Sequence, residues 1–172
     1  MSPHHSYRQT YWQVHALIGW GAALWAGVIA GIVFAMLNIG LGWVVRGESP
    51  WTPLRNVAAI ALGPDALAPA TTFDARVVLV AIVVHLVLSM LYAIFLALLL
   101  PTTDRPFSIL LGGFYGLALY YINFYGFDAF SPWFAVERGW VSIASHFVFG
   151  AVLAFAYLAI NARTLRRSPG HD

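Results

Sequence analysis

Cysteine is absent from the 172 residues, and lysine with it, so all nine basic residues are arginine. The first absence excludes disulfides, thiolate catalysis, iron–sulfur clusters and cysteine-ligated zinc. Charge of either sign is scarce: Asp, Glu, Lys and Arg make up 9% of the chain, against roughly 25% in an average soluble domain. A net charge of +2, scattered along the chain, forms no basic patch, and nucleic acid is not expected as a partner. A nucleophile elbow, a phosphate-binding loop, a zinc signature and paired carboxylates within an apolar run are all missing. The chain is therefore read as no enzyme.

What is present is apolar. Hydrophobic residues make up 60% of the chain, more than a soluble fold of this length can hide. Four runs carry no charge at all: Ala16–Val45 for 30 residues, Val77–Leu100 for 24, Pro106–Phe127 for 22 and Gly139–Asn161 for 23. Each exceeds the roughly 20 residues that a helix needs to cross about 30 Å of hydrocarbon. The expected fold is an all-α integral membrane bundle of four transmembrane helices, with spans 16–40, 77–100, 106–127 and 139–161. Residues 1–15 form a lead and 162–172 a tail. The first run is longer than a signal-peptide core and has no clear cleavage site, so it is expected to stay in the mature protein. Leu41–Val45, at its end, is expected to emerge from the membrane.

Arginine placement gives the orientation. With the N-terminus inside, the inner segments hold Arg8, Arg105, Arg163, Arg166 and Arg167, and the outer ones Arg46, Arg55, Arg76 and Arg138. Arg163, Arg166 and Arg167 follow the last span directly, where the positive-inside rule weighs most. The expected setting is a bacterial cytoplasmic (inner) membrane, multi-pass, with both termini inside. Tyr7, Tyr11 and Trp12 in the lead, and Trp51, Trp133 and Trp140 on the outer side, suit the headgroup level.

The connections are informative. Only residues 101–105 join spans two and three, which forces an antiparallel hairpin, with Pro101 ending one helix and Thr103 or Asp104 capping the next. Between spans one and two, the stretch from Trp51 to Gly63 predicts a short helix over 52–63, with Thr52 as cap, Pro53 in the first turn and Gly63 as stop. Leu54, Val57, Ala58 and Ala61 share one face, with Arg55 and Asn56 on another, so the helix is expected to lie in the outer interface.

The chain also matches itself. Gly27, Gly31 and Asn38 recur 85 residues later as Gly112, Gly116 and Asn123. Each set is followed by Ser-Pro-Trp, at Ser49-Pro50-Trp51 and Ser131-Pro132-Trp133. Each half then returns through a span carrying a histidine: His85 with Ser89 and Ala93, His146 with Gly150 and Ala154. Residues 16–100 and 106–161 are accordingly read as tandem two-helix repeats. Two spans per half keep the inside–outside sense, so the repeats would be parallel, about an axis along the membrane normal.

Three sets of residues could do more than fill space. Gly27, Gly31, Gly112 and Gly116 allow helix backbones to approach closely, within the bundle or across a homodimer seam. Gly19, Ala23 and Ala35 extend the first of these stripes. His85 and His146, at matched positions inside the membrane, are candidate axial ligands of a haem b, half of a metal site or proton relay, or a structural pair bonded to neighbouring helices. Asn38 and Asn123 must find partners in lipid, and with Tyr115, Tyr120, Tyr121 and Tyr125 they could line a polar path. Asp128, Glu137 and Arg138 are expected to form a solvated outer cluster.

The leading expectation is a small non-enzymatic accessory or scaffold subunit, with the lipid bilayer and other membrane helices, in a homo-oligomer or a larger complex, as partners. No cofactor belongs to this reading. The alternatives are a bis-histidine haem b electron-transfer protein and a small transporter or channel.

Overall fold

The computed structural model describes residues 18–100, 104–127 and 129–167. All regular structure among them is helical. Helix α1 is Trp20–Arg46, α2 is Trp51–Leu62, α3 is Ala75–Leu99, α4 is Arg105–Tyr121 and α5 is Trp140–Arg167. A π-turn, Ile122–Gly126, extends α4, and short 3-10 turns occupy Pro64–Leu67 and Pro132–Glu137. Four helical stretches, Trp20–Arg46, Ala75–Leu99, Arg105–Gly126 and Trp140–Thr164, are long and apolar enough to cross a membrane. The fold is thus the multi-pass helical bundle that the uncharged runs imply. The aromatic lead, the Pro101 and Thr103 signals and residues 168–172 of the tail lie outside the described residues, while 162–167 continue α5.

The long helices pack in the order α3, α1, α5, α4, each antiparallel to its neighbour, and α2 lies against the start of α3. Helix α1 is therefore flanked on both sides, and small residues make that possible. Gly27 and Gly31 face α3, where an added Cβ on Gly27 would stand 2.8 Å from the Met90 Cα. Ala22, Ala23, Ala26 and Ala30 enter the main core with Phe149, Leu153, Ala154 and Tyr157 of α5. The stripe read from the sequence is thus divided: Gly27 and Gly31 face α3, whereas Gly19 meets Asn161 of α5 and Ala23 joins the main core. Outward, α1 and α3 present Trp25, Ile29, Ile32, Met36, Leu79, Val83, Val87 and Phe95, an apolar surface that suits hydrocarbon.

Several boundaries and faces differ from expectation. Helix α1 continues through Leu41–Val45 to Arg46, and Gly47 closes it in the left-handed region at φ 66°. The third span does not run as an unbroken α-helix: it opens into the π-turn that contains Asn123. Helix α2 lies one residue from its expected place, but Thr52 does not cap it. The Trp51 amide donates to Ser49 Oγ, and the Thr52 hydroxyl donates instead to the Ala70 carbonyl. Asp104 does cap α4, accepting from the Phe107 amide.

Candidate functional site

The two histidines stand on α3 and α5, the helices on either side of α1, near the ends that the long loops adjoin, here called the loop end. His85 lies ten residues into α3 and His146 six residues into α5. His85 Nε2 donates to the Gly31 carbonyl at 2.8 Å, and His146 Nδ1 donates to the Ser142 carbonyl at 2.8 Å. A carbonyl can only accept, so these bonds fix the tautomers and leave His85 Nδ1 and His146 Nε2 as acceptors. One ring joins the pair. Phe34 stacks on His85 with centroids 5.6 Å apart and meets His146 edge-on at 4.8 Å. Tyr120 and Phe124 complete an aromatic surround of His146, at 5.6 and 5.4 Å.

The residues beneath the histidines explain how they come so close to the neighbouring helices. Gly31 has no side chain where an added Cβ would stand 2.7 Å from Ser89 Oγ and 3.4 Å from His85 Nε2. Gly116 likewise lies directly against the His146 carbonyl, and Gly112 against Gly150 and Ala154. Each histidine is therefore seated directly against a glycine of a neighbouring helix, Gly31 for His85 and Gly116 for His146.

Of the asparagines, Asn123 is paired and Asn38 is not. The Tyr92 hydroxyl donates to Asn123 Oδ1 at 2.7 Å, and the Tyr115 hydroxyl donates to the Tyr92 carbonyl at 2.9 Å. These bonds link α3 to α4 in the absence of close backbone packing. Asn38 Oδ1 is buried with no hydrogen-bond partner.

The outer cluster is not solvated. Glu137 is 3% exposed. It accepts from Arg46 Nη2 at 2.8 Å and from Asn56 Nδ2 at 2.7 Å, while Arg46 also holds Glu48 at 2.7 Å. Burial, with Glu48 nearby, pushes the Glu137 carboxyl above its ordinary value despite the opposing pull of Arg46 and Asn56. Arg138 turns to the π-turn, donating through Nε and Nη2 to the Phe124 carbonyl and covering the Tyr125 ring at 4.4 Å. Asp128 lies outside the described residues.

Helix α2 buries more than the expected apolar face: Ala58, with Leu54 and Val57, packs on Val77 and Ala81, but the polar side joins it. Its polar residues Arg55 and Asn56 are buried, and Ala61 is exposed. Arg55, 4% exposed, gathers the Ala66, Ala68 and Thr72 carbonyls of its own loop. Asn56 reaches Glu137, and the Trp133 indole donates to the Asn56 carbonyl at 3.0 Å. A charged or amide side chain next to open carbonyls is better satisfied inward than an alanine would be. The periodicity of apolar residues could not reveal this; a carboxylate immediately before an apolar run, with an arginine ending another, was the available signal.

A haem held by both histidines would need its macrocycle between them, where both imidazoles now pack on Phe34. That arrangement does not fit the cofactor without moving Phe34. Among the described residues no group of three or more His, Asp or Glu is placed to hold a metal ion. No family model matches the chain, and neither a curated protein nor a solved structure is found to be similar to it.

Proposed function

We propose that the chain is a small non-enzymatic membrane protein, an accessory or scaffold subunit of a homo-oligomer or larger complex in a bacterial cytoplasmic membrane. The observation that carries this reading is the use made of its inward polar groups. His85, His146, Asn123, Arg55 and Glu137 all bond protein groups, and four of them join separate helices or loops. The broad features left facing outward are apolar, as a surface for lipid and for other helices requires. The bis-histidine haem reading loses ground to Phe34. Native mass spectrometry of protein released from membranes in nanodiscs tests the proposal. It should give a stoichiometric assembly heavier than the 18.9 kDa chain. A monomer in every lipid, or a stoichiometric Soret band lost in both His85→Ala and His146→Ala, would overturn it.

The same reading places both termini inside and treats the chain as two tandem parallel repeats. In support, Gly27 faces Ser89 and Ala93 as Gly112 faces Gly150 and Ala154, and these pairs match in the sequence. Arg55 and Glu137, both buried, each stand six residues after the serine of a Ser-Pro-Trp. The symmetry is imperfect, because α1 packs closely on α5 while α3 and α4 meet mainly through Tyr92. A reporter inserted at Ala68 should be active outside the membrane and one after Asp172 in the cytoplasm; the reverse labelling would refute the orientation.

A further inference from the structure

Three buried polar atoms among the described residues have no hydrogen-bond partner: Asn38 Oδ1, Arg46 Nε and Ser145 Oγ. They come from two helices and fall on one seam. Phe34 of α1 meets His146 and Phe149 of α5. Moving four residues along each antiparallel helix brings Asn38 opposite Ser142 and Ser145. A further eight residues bring Arg46 to Glu137, which it contacts. Gly42, on the same stripe of α1, is where Arg46 and Glu48 fold over: an added Cβ there would stand 2.9 Å from Glu48 Oε2 and 3.2 Å from Arg46 Nη2. At the inner end lies His146, whose Nδ1 bonds the Ser142 carbonyl and whose Nε2 is left as an acceptor.

An unpartnered amide or hydroxyl buried in a helical bundle is costly unless something bonds it. Single exceptions are tolerated as isolated defects. Here donors and acceptors alternate along one line, from the charged loop end toward an imidazole. Arginine offers a donor, asparagine and serine offer both roles, and the imidazole nitrogen accepts. Two carboxylates against one guanidinium disfavour an anion there. We propose that the α1–α5 seam binds water, and that these waters connect the His146 imidazole to solvent at the loop end.

The absence of cysteine makes the test clean. Single variants Ser145→Cys and Ala81→Cys, in the full chain reconstituted in lipid vesicles, are treated with aminoethyl methanethiosulfonate. Ala81 is buried at similar depth but packs on Ala58 and Val77 in an apolar contact. Only the thiolate reacts, and it needs water, so Ser145→Cys should label roughly tenfold faster or more. Adding Asn38→Leu should slow that labelling by filling the seam. Equal labelling of Ser145→Cys and Ala81→Cys would overturn the proposal. If Ser145→Cys fails to fold, the thermal midpoint of Asn38→Leu decides. In a dry seam leucine removes an unpartnered amide and raises the midpoint, which refutes the proposal; in a wet seam it strips a bound water of its partner and lowers it.

Discussion

The two helix pairs, α1 with α3 and α4 with α5, are built alike but closed differently. In the first, glycine stands on one helix only, and Gly31 meets the side chains of Ser89 and His85. In the second, Gly112 and Gly116 meet backbone, because Gly150 sits opposite them. Side chains can rotate away from an intruding atom and carbonyls cannot. The first joint is therefore adjustable at Gly31, though not at Gly27, which meets the Ser89 and Met90 backbone, while the second is rigid at both glycines, even though the sequence repeats the same four-residue spacing in both.

That contrast sets the largest effect expected. Gly116→Leu should remove most folded protein, a loss above about 4 kcal/mol, since no neighbouring group can yield. Gly31→Leu should cost about 1–3 kcal/mol, the usual range of overpacking against movable side chains. Gly21→Leu, at an exposed position with nothing near its Cβ direction, should stay within about 0.5 kcal/mol. The yield of monodisperse protein and its thermal midpoint give the ranking. Equal losses at Gly31 and Gly116 would erase the distinction between the joints.

The histidines sharpen it. His146 is surrounded by Phe34, Tyr120 and Phe124, while His85 is only half-buried against Phe34. Truncating an enclosed ring leaves a cavity that its neighbours only partly fill, so His146→Ala should lower stability by about 3 kcal/mol. His85→Ala should cost about half as much. Chemical or thermal unfolding in one detergent compares the two directly, and a larger loss at His85 would contradict the packing described.

At the loop end the halves diverge most, and this is where the sequence was least legible. The spans could be read because hydropathy accumulates residue by residue, and the matched glycines because helix pairing follows a fixed spacing. The burial of Glu137 could not be read: its partners Arg46 and Asn56 are 91 and 81 residues away. Arg55 holds carbonyls only 11 to 17 residues away, but nothing local distinguishes a loop-gathering arginine from a solvated one. The π-turn at Asn123 was hidden for a related reason, since Arg138, which bonds the Phe124 carbonyl there, lies beyond the span.

Glu137 gives the comparison a pH test. Its carboxyl is raised above the ordinary value mainly by burial. A carboxyl raised on folding adds stability that is fully present below its unfolded value and lost as pH rises through its folded one. The thermal midpoint should therefore rise as pH falls from neutral toward the ordinary glutamate range. Glu137→Gln should flatten that rise while keeping the bond from Asn56. Glu137→Leu should cost about 1–3 kcal/mol at all pH values, because the Asn56 amide loses its acceptor. Arg55→Leu should leave the pH profile unchanged, since Arg55 bonds its own loop. An unchanged slope in Glu137→Gln would assign the titration to another group.

The smallest effect concerns the place where, among the described residues, the outer helices α3 and α4 are linked by hydrogen bonds. Without close backbone packing, the Tyr92 hydroxyl on Asn123 stands in for the glycine contact that the two pairs use internally. Interhelical bonds of this kind are worth about 0.6 kcal/mol in a membrane, because the separated helices find other partners. Tyr92→Phe should lower stability by about that amount, and so should Asn123→Leu. The informative quantity is the coupling between them. Two residues sharing one bond should lose it only once, so the double variant should fall short of the sum by about 0.6 kcal/mol. Asn38 matches Asn123 in the sequence but has no protein partner, so Asn38→Leu should be additive with Tyr92→Phe. Coupling of Tyr92 to Asn38 instead would place the link between α3 and α1, and the two asparagines would have exchanged roles.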